Sequence, residues 1–521
     1  MVRLLMQHAA SAREGIYPHR DATTALAIAR ERGDVAIVAA IEEEELRQRE
    51  TMSGVARAPS PDPLFRVIVS GDDAAAVTLL DANPALITTR HPVMGVTPLH
   101  VAAHRLRPNL VQCLLDRGAD PSARDVRDHT PLDGAAFQST PDTAERFCSI
   151  AQLVLSRGAV LTAPAAVVLG NIEWLRARHA EGSLTNAIED EGGLLRIAVT
   201  HNRADVLALL LDWGFDPDER VRVLDGDEHT FTWGMPLWHC AGRGKYELAE
   251  MLLKRGADPN ASVYASGDPV FQAYSERDGK MVTLLEQYGG VPTAGTAALY
   301  RRTDLARKML AEEAPYRLEG DASLPEQLLV NAACGGDPEI LRMALSRVDW
   351  PPDDPRWFGA LEQPLRLWAH GSGTADWDRS TYFTCFRLLL ERCDPNLRGR
   401  PTDKQQFGLT ILHSIAGSRE HLTADDRMAF ATLILDAGAR LDLRDYVLKS
   451  TPLGWACRWG RMELVKLFLE RGADPVEADA ELWATPRAWA EKKGHQEVLA
   501  LLVAALRPQR HRDTETQRRK T

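Results

Sequence analysis

The stretch that decides the fold is Thr451-Pro452-Leu453-Gly454-Trp455-Ala456-Cys457-Arg458-Trp459-Gly460, followed by Arg461-Met462-Glu463-Leu464-Val465-Lys466-Leu467-Phe468-Leu469-Glu470-Arg471-Gly472-Ala473-Asp474-Pro475. It reads as two short helices and a turn. The Thr451 hydroxyl is placed to cap the first helix, Pro452 suits the first helical position because that N–H has no partner anyway, and Gly460 can take the left-handed conformation that ends it. Leu464, Val465, Phe468 and Leu469 then recur at helical spacing, Gly472 stops the second helix, and Asp474-Pro475 turns the chain away. A helix pair this small has one apolar face and nothing of its own to cover it, so it needs a neighbour built the same way.

Such neighbours recur along the chain. Thr97-Pro98-Leu99-His100-Val101-Ala102-Ala103 leads to Leu114-Leu115-Asp116-Arg117-Gly118-Ala119-Asp120-Pro121, and Thr130-Pro131-Leu132 follows 33 residues after Thr97. Pro236-Leu237 leads to Leu252-Leu253-Lys254-Arg255-Gly256-Ala257-Asp258-Pro259, Thr410-Ile411-Leu412-His413 leads to Leu433-Ile434-Leu435-Asp436-Ala437-Gly438-Ala439, and Thr485-Pro486 opens a last unit with Val498, Leu501 and Leu502 as its core. These residues resemble the ankyrin repeat, a helix-turn-helix unit of about 33 residues with the T-P-L-H-x-A signature. The resemblance runs from about residue 23 to 508 and recurs in register. It implies an all-α ankyrin-type repeat solenoid of about twelve units with short β-turn fingers. Gly193-Leu194-Leu195-Arg196, Gln327-Leu328-Leu329-Val330 and Gln363-Pro364-Leu365-Arg366 keep the apolar positions but lose the Thr or the His.

Domain organisation follows from where the pattern stops. Residues 1–50 read as truncated repeats at the end of an earlier stack, because Val2 to Ala10 resembles a second helix and Thr24 to Asp34 the next first helix. Residues 51–63, with Gly54, Pro59, Pro61 and Pro63, read as a linker. A stack over 64–293 has units from about 97, 130, 163, 194, 235 and 268. A degenerate repeat or joint over 294–324 precedes a second stack over 325–508, with units near 325, 363, 409, 451 and 485. Residues 509–521 read as a basic, disordered tail. Gln138 to Arg146, Gly371 to Thr381 and Ser418 to Asp426 read as insertions between the two helices of their units. Val221 to Trp233 reads as a lengthened finger, a hairpin about Asp225-Gly226.

Bulk properties exclude several classes. A formal charge of −11 and a pI of about 5.8 argue against nucleic acid as the main partner, which normally meets a basic face. No apolar run is long enough for a membrane span. The 7 cysteines are scattered with no Cys-x-x-Cys, which reads as reduced core thiols in a cytoplasmic protein. His100 and His104 stand four apart, but no acidic residue accompanies them and His100 occupies the repeat's own histidine position, so no metal site is read there. Asp225, Asp227 and Glu228 lack the spaced oxygen ligands that Ca²⁺ requires. No nucleophile elbow, phosphate loop or dinucleotide fingerprint occurs, so no catalytic residue, cofactor or metal is assigned.

What remains is a surface. Within the repeat, the Leu and Ala positions pack between units, while the x positions fall on the other face of the first helix. In the resembled family that face lines a concave groove where protein partners bind, together with the fingers. Mapped onto this chain it yields His104 and Arg105, His239 and Arg243, Trp455, Arg458 and Trp459, and Trp489, Lys492 and Lys493. Tryptophan and arginine carry binding energy by large rigid area and cation–π contact. The expected function is a non-enzymatic scaffold for a protein partner. The alternative is the regulatory or substrate-recruiting part of an enzyme whose catalytic module is missing upstream or unrecognised.

Overall fold

The computed structural model describes residues 25–32, 34–43, 62–92, 94–184, 193–225, 228–232, 234–263, 266–367, 378–399, 408–418 and 422–506. The expected cap of the deciding stretch is present. Pro452–Arg458 and Met462–Glu470 are helices, the Thr451 hydroxyl accepts from the Gly454 N–H at 3.2 Å, and Gly460 and Gly472 are left-handed at φ +64° and +91°. The second helix buries Leu464, Val465, Leu467 and Phe468.

Contacts divide the chain into two units, residues 56–292 and residues 1–55 with 293–521. In the first, the helices Asp62–Ser70, Pro98–His104, Pro131–Gln138, Ala163–Leu169, Leu194–Thr200, Met235–Ala241 and Pro269–Ser275 each pack on the next in sequence order. Each of these first helices is followed by a second, from Asp73–Ala82 to Gly279–Gln287. In the other unit the first helices are Ala294–Leu299, Leu324–Gly335, Arg356–Leu365, Ile411–Ala416, Pro452–Arg458 and Pro486–Lys493, again packed in order. Among the described residues the regular elements are helices apart from one antiparallel hairpin, Val221–Asp225 with Glu228–Thr232, whose last pair is Asp225 with Glu228. The lengthened finger is therefore a hairpin, as its turn residues imply. Ala25–Arg32 and 35–43 also form a helix pair, closed by Leu26 and Ile41, and Lys492 Nζ donates to Arg30 O at 2.9 Å. Val2 to Ala10, the tail after 506 and most of the insertion at 371–381 lie outside the described residues.

The stretch 294–324, read as a degenerate repeat or joint, holds a helix pair, Ala294–Leu299 and Thr303–Leu310, with Thr293 capping the first from its hydroxyl. One feature differs from the sequence reading. The unit expected to open at Gln363 opens instead with Arg356–Leu365, so Pro364 sits in the last turn of a first helix rather than at its start. The apolar residues Trp357, Phe358, Ala360, Leu361 and Leu365 define that face, and Pro364 forgoes one N–H bond to the preceding turn where the helix is ending.

Two kinds of latch tie first helices to their neighbours. The signature latch uses Thr and His: His100 Nδ1 lies 2.8 Å from the Thr97 hydroxyl, and its Nε2–H donates to His129 O of the next repeat at 3.0 Å. Thr410, His413 and Ser450 O repeat that geometry. Where the signature is lost, a different residue takes over. Glu219, fully buried and 26 residues downstream of Gly193, accepts the N–H groups of Gly193, Leu195 and Arg196 at 2.7, 2.6 and 3.2 Å, so a carboxylate from the next finger caps the helix Leu194–Thr200. Gln327 similarly holds Glu319 O and Ala322 O at 2.9 Å each.

The other latch closes helix C-termini. Arg107, Arg203, Lys245 and Arg461, each at the start of a second helix, donate to carbonyls that end the preceding repeat's first helix: Gly71 O, Val168 O, Thr200 O and Ser418 O, at 2.8, 2.8, 2.9 and 2.6 Å. Glycine is needed at Gly71 and Gly170. Both have positive φ, and an added Cβ would lie 2.8 Å from Arg107 and 3.2 Å from Arg203. Outside these, Asp81–Arg117, Asp116–Arg157, Asp212–Arg255 and Asp436–Arg471 bridge successive second helices at 2.6 to 2.8 Å. These pairs are solvated and contribute little each.

The two forms of the first latch titrate in opposite senses. Burial lowers the His413 imidazole to about 4, so its contribution is complete above about pH 6.5 and is lost as pH falls toward 4. Burial raises the Glu219 carboxyl to about 7 against the pull of its three N–H donors, so its contribution is complete below about pH 4.5 and is lost as pH rises through 7. Denaturant unfolding at pH 5 and pH 7.5 should therefore show that His413→Gln costs more stability at the higher pH, whereas Glu219→Gln costs more at the lower. Each difference should be on the order of 1–2 kcal/mol.

Candidate partner-binding surface

The expected cluster at the C-terminal repeats assembles around Arg458. Its guanidinium carbon lies 6.0 Å from the Trp455 ring, 5.0 Å from Trp459 and 5.4 Å from Trp489. These side chains are not equally accessible. Trp489 is fully buried and donates from Nε1 to Ser450 Oγ at 2.6 Å, while Trp455 is buried and donates to Asp445 Oδ2 at 2.9 Å. Trp455 fits inward because Gly417 of the preceding repeat leaves it room: an added Cβ there would stand 2.9 Å from the indole. Arg458 is buried as well, with three indoles about it. Three of the six residues read as groove contacts here, Trp455, Arg458 and Trp489, therefore belong to the interior. Trp459 is half-buried, and Lys492 and Lys493 are exposed.

In the unit 56–292 the expected residues occupy the open side. Arg243 is exposed and donates to His239 Nδ1; burial, then the Arg243 charge, lowers His239 to about 3, leaving it neutral at physiological pH. His104 and Arg105 are exposed at the end of Pro98–His104. They line a cavity of about 420 Å³ whose other walls include Val69, Met94, Val101, Val126 and Phe137. Met94 and Val126 sit on adjacent fingers, 50% and 69% exposed, and Val126 N–H donates to Met94 O at 3.2 Å. The cavity therefore lies between two fingers and the three first helices Asp62–Ser70, Pro98–His104 and Pro131–Gln138. His100 does not present itself there as a ligand, since both ring nitrogens are engaged by Thr97 and His129 O. Among the described residues no group of His, Cys, Asp and Glu is placed to hold a metal ion, and no helix is long and apolar enough to cross a membrane. The seven cysteines are free thiols, five of them buried.

The finger residues Met94 and Val126 escaped the sequence reading, which followed first-helix positions alone. Their signal was present: Val126 is an isolated aliphatic inside Arg124-Asp125-Val126-Arg127-Asp128, where a turn offers no core to bury it.

Helix pairs packed strictly on their sequence neighbours, latched by Thr and His and separated by fingers, define a helix-turn-helix repeat protein. The chain carries ankyrin repeats: ankyrin repeat models match residues 94–135 (many copies), 235–262 and 378–479 (three copies). It is 24% identical over 283 residues to the ankyrin repeat domain-containing protein SAT10 of Stachybotrys chartarum, covering 52% of this chain and 14% of that protein. It is 28% identical over 214 residues to the E3 ubiquitin-protein ligase XB3 of Oryza sativa subsp. japonica, covering 41% of this chain and 42% of that protein. The chain thus spans less than half the length of these relatives. The solved ankyrin repeat domain of human ASB11 is 21% identical and covers 44% of this chain and 99% of that one, with a TM-score of 0.25.

The burial pattern separates support from contact. Trp489→Ala should lower unfolding free energy by about 3–5 kcal/mol, as for other fully buried aromatics, whereas Lys493→Ala should change it by less than about 0.5 kcal/mol. Thermal and denaturant unfolding of both variants checks this, and equal losses would contradict the assignment.

Proposed function

We propose that the chain is a non-enzymatic protein-binding scaffold, and that a partner protein occupies the face formed by the first helices and fingers. The observation that carries this reading is the cavity between the 94 and 126 fingers. It is largely apolar, opens outward, and is rimmed by the exposed side chains of Met94, Val126, His104 and Arg105. A monomer gains nothing by exposing such aliphatic side chains together. Repeats latched at both helix ends present this face with little motion left to lose on binding, which favours affinity. Arg243 and the half-buried His239 extend the face along the unit. In the other unit Trp459, Lys492 and Lys493 supply contact, with Trp455, Arg458 and Trp489 holding them from behind.

Recruitment to an enzyme is the second reading, favoured by the similarity to a rice protein named as an E3 ubiquitin-protein ligase. It places the same face in the same role, with the captured protein as the substrate of a separate catalytic module.

Affinity capture from the native cell extract with the wild-type chain and with Arg105→Glu/Val126→Asp tests the scaffold reading. At least one protein should be retained by the wild type and reduced about tenfold or more by the double variant, with an unchanged melting temperature. Identical retention by both would remove this face from the function.

A further inference from the structure

The charge on the unit 56–292 is segregated, and the segregation names the chemistry of the partner. The six first helices from Pro98–His104 to Pro269–Ser275, with the one or two residues closing each, carry exposed Arg105, Arg243 and Arg277 and a buried Arg196, against only Asp133 and Glu276. Asp133 is buried and accepts the Thr130 N–H at 2.9 Å, so it faces its own helix end. That leaves Glu276 as the one exposed carboxylate on this row. The second helices, Asp73–Ala82 to Gly279–Gln287, counted with their closing residues in the same way, lean the other way, eleven carboxylates against eight Lys or Arg. A chain with a net charge of −11 thus presents a locally cationic row on the side that also holds its apolar cavity.

At the cavity the same pairing recurs on a smaller scale. Arg105 and Arg127 are exposed at its rim, His104 beside them, and the single carboxylate of the lining, Asp125, accepts the Arg127 and His129 N–H groups at 2.8 and 2.9 Å. Its walls are aliphatic and aromatic, from Val69, Met94, Val101, Val126 and Phe137. A volume of about 420 Å³ suits the side chain and flanking backbone of an apolar residue.

We propose that this face binds an extended acidic segment of a partner protein, with a large aliphatic or aromatic side chain in the cavity and carboxylates against Arg105, Arg127 and Arg243. The assignment rests on the scaffold reading above and deepens it. First helices packed about 8–10 Å apart place Arg243, four repeats on, some 40 Å from Arg105, a span that roughly twelve extended residues cover. Opposite charge across such a face sets association rate and selects among partners more than it raises affinity. A nucleic acid answers the cations but not the apolar cavity, and the carboxylates of the second helices repel a polyanion.

The test is selection of a displayed library of random 16-residue peptides on the full-length chain, followed by titration of the selected peptides by fluorescence anisotropy. The expected result is a consensus of three or more Asp or Glu around one Leu, Ile, Met or Phe. Affinity should fall at least tenfold for Arg105→Glu, for Val126→Asp, and for peptides with amides in place of the carboxylates, with unchanged melting of both variants. Raising NaCl from 50 to 500 mM should weaken binding severalfold. Selected peptides that lack acidic residues yet lose binding in the variants would overturn the acidic assignment and leave the scaffold reading standing. Absence of enrichment, or selected peptides that bind both variants as tightly as wild type, would overturn both. Tighter binding of a single-stranded 16-nucleotide DNA than of the best peptide, lost on Arg105→Glu, would transfer the face to nucleic acid.

Discussion

The structure depends on the unfinished ends of short helices. A first helix here runs from 6 to 12 residues, so most of its N–H and C=O groups at the two ends have no partner within the helix. Left buried and unmet, each would cost about 1–3 kcal/mol. The adjoining repeats supply missing partners: Glu219 for the N–H groups opening Leu194–Thr200, and the Arg107, Arg203, Lys245 and Arg461 side chains for carbonyls one repeat back, while the His100 and His413 rings tie their own Thr-capped helix starts to His129 O and Ser450 O of the next repeat. Sequence-order stacking follows from this, because a helix end met by the wrong neighbour stays unsatisfied.

This constraint explains why degenerate repeats survive. At Gly193-Leu194-Leu195-Arg196 the cap no longer comes from the helix's own Thr, yet its N–H groups are met by Glu219 from the following finger. At Gln327 a side-chain amide holds the turn before the helix through Glu319 O and Ala322 O. The requirement belongs to the backbone, and chemically different residues can answer it provided they reach the same atoms. The same freedom lets the open face vary, since the side chains displayed there, Arg105 and Arg243 among them, take no part in the latches described above.

Much of the fold was legible in advance, because caps and stops are local. Thr451, Pro452, Gly460 and Gly472 each announce one backbone conformation, and each adopts it. The hairpin at Val221–Thr232 was legible for the same reason. The phase of the Arg356–Leu365 unit was not: Gln363-Pro364-Leu365 imitates a signature, and only the packing of Trp357 and Phe358 sets the true start seven residues earlier. The site was legible as a face but not in depth. Helical spacing puts Trp455 and Trp459 on one side of a helix, yet whether an indole points into a groove or under the next repeat is decided by Gly417, 38 residues away. Long-range partners such as Glu219 and Lys245 carry no local mark at all.

The claim that each helix is completed by its neighbour is tested most directly by hydrogen exchange of the Lys245→Ala variant, read by mass spectrometry across the unit 56–292. Lys245 donates to Val199 O and Thr200 O at 2.5 and 2.9 Å. The account predicts faster exchange in Leu194–Thr200 and Met235–Ala241, with Pro98–His104 and Pro131–Gln138 protected as in the wild type. Uniform loss of protection over the unit, or no change in the two neighbouring helices, would contradict it.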